Sequence, residues 1–131
     1  MKKLLLVFAI FTLFSCDDDE TAVIPTEETN TIIGRWHLVG FDNTMYDFQT
    51  NLRYTIYSDN GTFGATETDA IPNPNPWSME NDKLVIDLFF GNVVSYSLNY
   101  KCSGNVVELI DEEGEINSIL FREGYDYATC N

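Results

Sequence analysis

The stretch Ile32-Ile33-Gly34-Arg35-Trp36-His37-Leu38-Val39-Gly40-Phe41 decides the fold. It is rich in β-branched and aromatic residues and holds no Pro, so it suits a pleated, half-buried strand. Side chains alternate along a strand, which puts Gly34, Trp36 and Leu38 on one face. A glycine two residues before the indole leaves room for that ring to lie across the mouth of a small barrel. We therefore take Gly34 and Trp36 as structural positions at a closed barrel end.

Downstream, further strands follow at hairpin spacing. Leu52–Tyr57 is the second expected strand and Thr62–Glu67 the third, joined by Ser58-Asp59-Asn60-Gly61, where Asn-Gly tolerates the positive φ of a tight turn. Trp77–Glu80, Lys83–Phe89, Val93–Lys101, Val106–Ile110 and Ile116–Arg122 complete a set of eight. The clearest alternation is Val94, Tyr96, Leu98 and Tyr100 against Ser95, Ser97 and Asn99. Between the first and second strands, a loop begins at Asp42-Asn43-Thr44, and Met45–Thr50 is expected to cover a barrel mouth. The alternating prolines of Ala70–Pro76 stiffen a second loop toward polyproline II. These two segments form the expected rim.

Eight short strands without an amphipathic helix predict an all-β domain, an eight-stranded antiparallel up-and-down β-barrel, with a β-sandwich as the alternative. Eight strands are also the number at which a barrel interior is just filled by side chains or holds one small ligand.

Ahead of the barrel, Met1–Ser15 reads as a targeting segment: Lys2 and Lys3, then an apolar run from Leu4 to Phe14 too short to span a bilayer comfortably. Leu13-Phe14-Ser15-Cys16 resembles the lipobox of bacterial lipoproteins, in which the cysteine is lipidated and the chain is cut just before it. That resemblance makes Cys16 a lipid anchor bearing several acyl chains, enough for stable membrane attachment. Asp17-Asp18-Asp19-Glu20 resembles the acidic export signal of surface lipoproteins in diderm bacteria, and reads equally well as a solvated spacer. Residues 16–30 are thus expected to be the lipidated cysteine and an acidic flexible linker, and 31–131 the barrel domain. The expected location is the outer membrane, lipid-anchored, on the cell surface or the periplasmic face.

In the barrel region Gly34-Arg35-Trp36 resembles the G-x-W signature of lipocalins. Tyr57–Phe63, Trp77–Leu84 and Leu120-Phe121-Arg122 resemble, in order, that family's aromatic hairpin, its Trp-to-Leu hairpin and its closing strand with a terminal basic residue. Together they resemble the lipocalin-like domain of bacterial surface lipoproteins. The resemblance implies that Arg122 stacks on Trp36, within about 6 Å of its ring. It also sets a conflict over strand 52–57: the family pattern turns Tyr57 inward, whereas Leu52, Tyr54 and Ile56 make the more apolar face.

Charge narrows the partners. Seven Lys and Arg stand against 21 Asp and Glu, a net charge of −14. Loss of Lys2 and Lys3 with the leader leaves 5 basic residues and a net of −16. Such a chain is not built for nucleic acid or for anionic lipid surfaces. His37 is the only histidine and should point outward beside Trp36, which leaves no histidine-based zinc site and no Ser-His-Asp set. Asp111-Glu112-Glu113-Gly114-Glu115 lacks the alternating ligands of a calcium loop and reads as a charged hairpin tip. No catalytic residue, metal or cofactor is assigned, and the chain is not read as an enzyme.

Two cysteines remain once Cys16 is given to lipid. In an oxidising compartment Cys102 and Cys130 are expected to pair, pinning the tail to the sixth strand. The aromatics Trp36, Tyr54, Phe63, Trp77, Tyr96 and Phe121 are expected to face inward, where they either line a site for a small hydrophobic ligand or simply fill a packed core. The alternative is a non-enzymatic display or assembly module whose loops contact a surface protein or a glycan.

Overall fold

The computed structural model describes residues 31–131. Eight strands run β1 (Gly34–Leu38), β2 (Phe41–Phe48), β3 (Leu52–Tyr57), β4 (Asn75–Glu80), β5 (Lys83–Asp87), β6 (Val93–Lys101), β7 (Val106–Ile110) and β8 (Ile116–Arg122). Each is antiparallel to the next, and β8 pairs back onto β1 through Trp36↔Arg122 and Leu38↔Leu120, so the sheet closes. A one-turn helix, α1 (Thr66–Asp69), interrupts the β3–β4 connection, and a 3-10 turn at Tyr127–Thr129 ends the chain. The leader, Cys16 and the acidic linker lie outside the described residues.

The number of strands is the expected one, but two assignments exchange. Residues 42–48, expected as a loop and mouth cover, belong instead to β2, which begins at Phe41. The chain reverses at Val39-Gly40, with Gly40 at φ +83°, where a side chain would be strained. The register then jumps from His37↔Met45 to Leu38↔Phe41, so residues 42–44 bulge from the β1 ladder while Thr44 still pairs with Tyr57. The turn-forming Asp42 and Asn43 therefore belong to a bulge within a strand. Conversely Thr62–Glu67, expected as the third strand, is a loop that enters α1. It packs so tightly that a Cβ at Gly64 would overlap the Asp69 carboxyl.

Strand pairing settles the parity of β3. Gly34 pairs with Phe48 and Phe48 with Arg53, so Arg53, Thr55 and Tyr57 share the face of Gly34 and Trp36. Ile56 faces outward, yet it is fully buried, as is its outward partner Met45. The 58–71 segment covers both. Ala70 bridges to Ile56, Ile71 N–H donates to the Thr55 carbonyl, and Thr66 Oγ1 donates to the buried Asp47 carboxylate at 2.6 Å. Arg35 binds the same flap, donating to Gly64 O at 2.8 Å and to Met45 Sδ while its Nε meets Glu123 at 3.1 Å.

The inner core is built from Trp36, Leu38, Phe48, Leu84, Ile86, Val107, Leu109 and Leu120, with Ile32 as a plug. Cys102 and Cys130 form the expected disulfide, with Cα atoms 5.7 Å apart. It holds the C-terminal tail against β7 and β8, where Tyr127 stacks on Phe121.

Candidate functional site

The two barrel ends differ in kind. At one, Trp36 is fully buried and its Nε1–H donates to the Ile32 carbonyl at 2.7 Å. The Arg122 guanidinium lies 4.2 Å from the Trp36 ring centroid, as the resemblance implied. Arg122 Nη1 and Nη2 donate to the carbonyls of Ile33 and Thr31, and Nε to that of Gly104. A Cβ at Gly34 would come within 2.9 Å of Arg122 Nη1, and Gly34 sits at φ +125°, so the close approach needs glycine. Phe48 and Trp77 meet edge-to-face at 5.8 Å, and Trp77 Nε1–H donates to Gln49 O. This end is a seal.

The other end is formed by the β1–β2, β5–β6 and β7–β8 turns and by the 71–74 segment. Phe41, Tyr57, Ile71, Leu88, Phe90, Val93 and Ile116 are all exposed around it. Phe90 is 100 % exposed, and Phe89 and Phe90 hold φ of +68° and +55° in succession. Such a conformation is strained for a bulky side chain and persists only where the surroundings impose it. A cleft of about 300 Å³ opens here against Val93, Val94 and Tyr96, with Asp111, Glu112 and Glu113 on its lip. A second, of about 200 Å³, lies between Leu38, Phe41 and Ile116.

Between seal and mouth stands Arg53, pointing inward from β3. Its guanidinium carbon is 4.3 Å from the Tyr46 ring centroid, and Nη2 donates to Asn75 Oδ1 at 2.7 Å. Asn75 is fixed in turn by donating to the Asp87 carbonyl at 3.0 Å. Arg53 Nε is buried without a hydrogen-bond partner, alone in this among the buried side-chain polar atoms of the described residues. Burial lowers the Arg53 pKa, while the phenols of Tyr46, Tyr96 and Tyr57 act to raise it. Burial likewise raises that of Tyr96, against the opposing influence of Arg53.

Of the six aromatics expected inside, Trp36, Trp77 and Tyr96 pack on the inner core. The other three do not face in. Tyr54 pairs with Asp47 on the outer face of β3. Phe63 lies on the flap, and Phe121 faces out from β8, as the inward Leu120 and Arg122 on either side require. Phe63 and Phe121 flank His37 at ring separations of 5.3 and 5.0 Å, and with Tyr127 they form an aromatic column outside the barrel. His37 does point outward, but it is half-buried in this column. Burial lowers its pKa; Glu123 opposes the shift and Arg35 adds to it.

The expected rim also changes. Residues 42–50 are mostly β2, and of the Pro-rich loop Asn75 and Pro76 already belong to β4. Arg53, Tyr46 and Asn75 were not legible as site residues. Leu52 and Tyr54 flank Arg53, and simple alternation with apolar neighbours turns an arginine to solvent. Among the described residues, no cluster of three His, Cys, Asp or Glu side chains is placed to hold a metal ion. No protein-family model matches the chain, and no curated protein or solved structure matches it.

Proposed function

We propose that this protein is an exported lipoprotein, anchored in the outer membrane through Cys16, whose lipocalin-like barrel takes a small hydrophobic ligand at its open end. The observation that carries the ligand reading is the asymmetry of the ends. Trp36, Arg122 and Ile32 stopper one, where Ile33 and Met79 are exposed, while seven exposed large apolar side chains gather around the other. Large apolar groups left in water mark a binding surface. The mouth clefts run from about 200 Å³ to about 480 Å³, the largest against Asn73, Phe89 and Phe90, which is the smaller half of the range for ligand sites, so the ligand is small or only partly enclosed. The anchor reading rests on Lys2, Lys3, the apolar run and Ser15-Cys16. No residue is assigned a catalytic role.

Native mass spectrometry of the delipidated barrel tests this. A co-purifying small molecule, lost when Phe90 and Tyr96 are replaced, is the expected result. A bare mass from cells that process and export the chain would count against it.

A second reading, docking of a surface protein or glycan on the same rim, is favoured by Phe90. A side chain that is wholly exposed on a strained turn is better placed to enter a partner than to line a pocket.

A further inference from the structure

Resting on the ligand reading above, we infer that the ligand is an amphipathic anion: a compact oxyanion head, a carboxylate foremost, received by Arg53 inside the barrel, with an apolar tail toward the mouth.

The described residues hold five cationic side chains: Arg35, Arg53, Lys83, Lys101 and Arg122. Arg35 pairs with Glu123 and Lys101 with Glu108, and Lys83 lies on the outer face of β5, opposite to the inward Leu84 and Ile86. Arg122 spends its N–H groups on three backbone carbonyls at the seal. Arg53 is a cation on the inner face whose one hydrogen-bond acceptor is the neutral amide oxygen of Asn75. In a chain with 21 acidic residues, an inward arginine that meets no carboxylate among the described residues is a specific arrangement.

Its geometry is that of a receptor. The Nε–H and one Nη2–H of a guanidinium run parallel and fit the two oxygens of a carboxylate. The plane of Arg53 is fixed by Tyr46 beneath it and by Asn75 at Nη2, and Asn75 is anchored on the Asp87 carbonyl. The buried Nε is the donor left over. A purely structural arginine has its buried donors satisfied, as Arg122 has, because an orphaned one is costly. An incoming oxyanion supplies what Nε lacks. The phenols of Tyr46, Tyr96 and Tyr57 are near enough to act on the charge of the same guanidinium.

The charge pattern also fixes the ligand's orientation. Asp111, Glu112 and Glu113 line the cleft at the lip, so an anionic head left there would be repelled. Arg53 does not line that cleft but is neighbour to Tyr96, which does, and there the sign reverses. The tail then lies among Tyr96, Val94 and the exposed rim.

Titration calorimetry on the barrel of residues 31–131, whose closed ladder uses no residue outside that span, tests the inference. The probes are dodecanoate, dodecanol and dodecyltrimethylammonium, each below its micellar concentration. Dodecanoate is expected to bind about tenfold or more tighter than dodecanol, with the ammonium weakest. Arg53→Gln should erase that preference, dodecanoate affinity falling about tenfold or more to that of dodecanol. Arg53→Lys, which keeps the charge but loses the fork, should fall between. The ligand-free Tm of Arg53→Gln should be unchanged or raised, since a buried cation with an unmet donor is removed. Equal binding of dodecanoate and dodecanol overturns the inference and spares the ligand reading. If no probe binds a folded barrel, both fall. A Tm that collapses in Arg53→Gln and in Arg53→Lys alike, with dodecanoate preference intact in whatever folds, makes Arg53 structural and overturns it.

Discussion

Arg122 lies over the indole of Trp36 at 4.2 Å, and the same guanidinium holds the carbonyls of Thr31 and Ile33. One side chain from the last strand thus closes the sheet onto the first, covers its largest buried ring and fixes the chain leading into β1. Stacking contributes about 0.5–2 kcal/mol and each hydrogen bond from a charged donor about 1.5–3 kcal/mol, in part overlapping. Arg122→Met should therefore cost about 2–4 kcal/mol in urea unfolding. Arg122→Lys should recover little, because an ammonium neither stacks flat nor forks.

Gly34→Ala probes the same seal from below. The new methyl meets Arg122 Nη1, and φ +125° is a conformation that L side chains rarely adopt. A loss of about 1–3 kcal/mol is expected, with the Trp36 fluorescence shifted as the guanidinium moves.

The Cys102–Cys130 disulfide spans 28 residues and joins the β6–β7 turn to the C-terminus. The double Cys→Ser variant should lose about 2–4 kcal/mol, and the loss should match that produced by reductant on the native barrel. Thiol titration of the unfolded, unreduced barrel should find no free sulfhydryl at these positions.

His37 is held below its ordinary pKa by burial between Phe63 and Phe121. A depressed imidazole favours the neutral form in the folded state. Its contribution is therefore present above the unfolded pKa, about 6.5, and is lost as pH falls below it toward the folded value. Hydrogen exchange in the 58–71 flap and in the tail should accelerate over that interval before global unfolding. His37→Phe should remove this step and leave the carboxylate-linked loss at lower pH. Part of that loss is due to Glu108, whose pKa is lowered by its hydrogen bonds from Lys101 and Asn99.

Phe89 and Phe90 occupy left-handed backbone in the β5–β6 turn, and Phe90 touches little but solvent. Phe90→Gly should stabilise the barrel by about 1 kcal/mol, read as a higher urea midpoint. If the rim binds a ligand or partner, the same variant should bind it more weakly. That combination, stability gained and binding lost, is the mark of strain kept for function.

The Gly34–Trp36 half of the stopper was legible because it is local, two residues apart on one strand face; its partner Arg122, on the last strand, was expected only from the lipocalin resemblance. The disulfide was legible because two cysteines remained after Cys16. The inner aromatic set was half legible. Period-two alternation reports burial only where one face of a strand meets water. On β2 and β3 both faces are covered, the outer by the 58–71 flap, so Met45 and Ile56 look like core and are, but of a second layer. The flap likewise took Phe63, and the tail took Phe121, away from the interior.

By itself the sequence determined eight short antiparallel strands and which cysteines join, because these follow from turn chemistry, alternation and scarce residue types; the lipocalin resemblance, not the spacing, pointed to a closed barrel stoppered by Trp36 and Arg122, and the β8–β1 pairing decided closure over a sandwich. Tertiary structure alone decided that β2 replaces the expected third strand, that outward Met45 and Ile56 are buried, and that Arg53 faces in beside Asn75. Those depend on closure. The register between strands fixes which face is inside, and a flap 58–71 residues along the chain fixes which outer faces still see water.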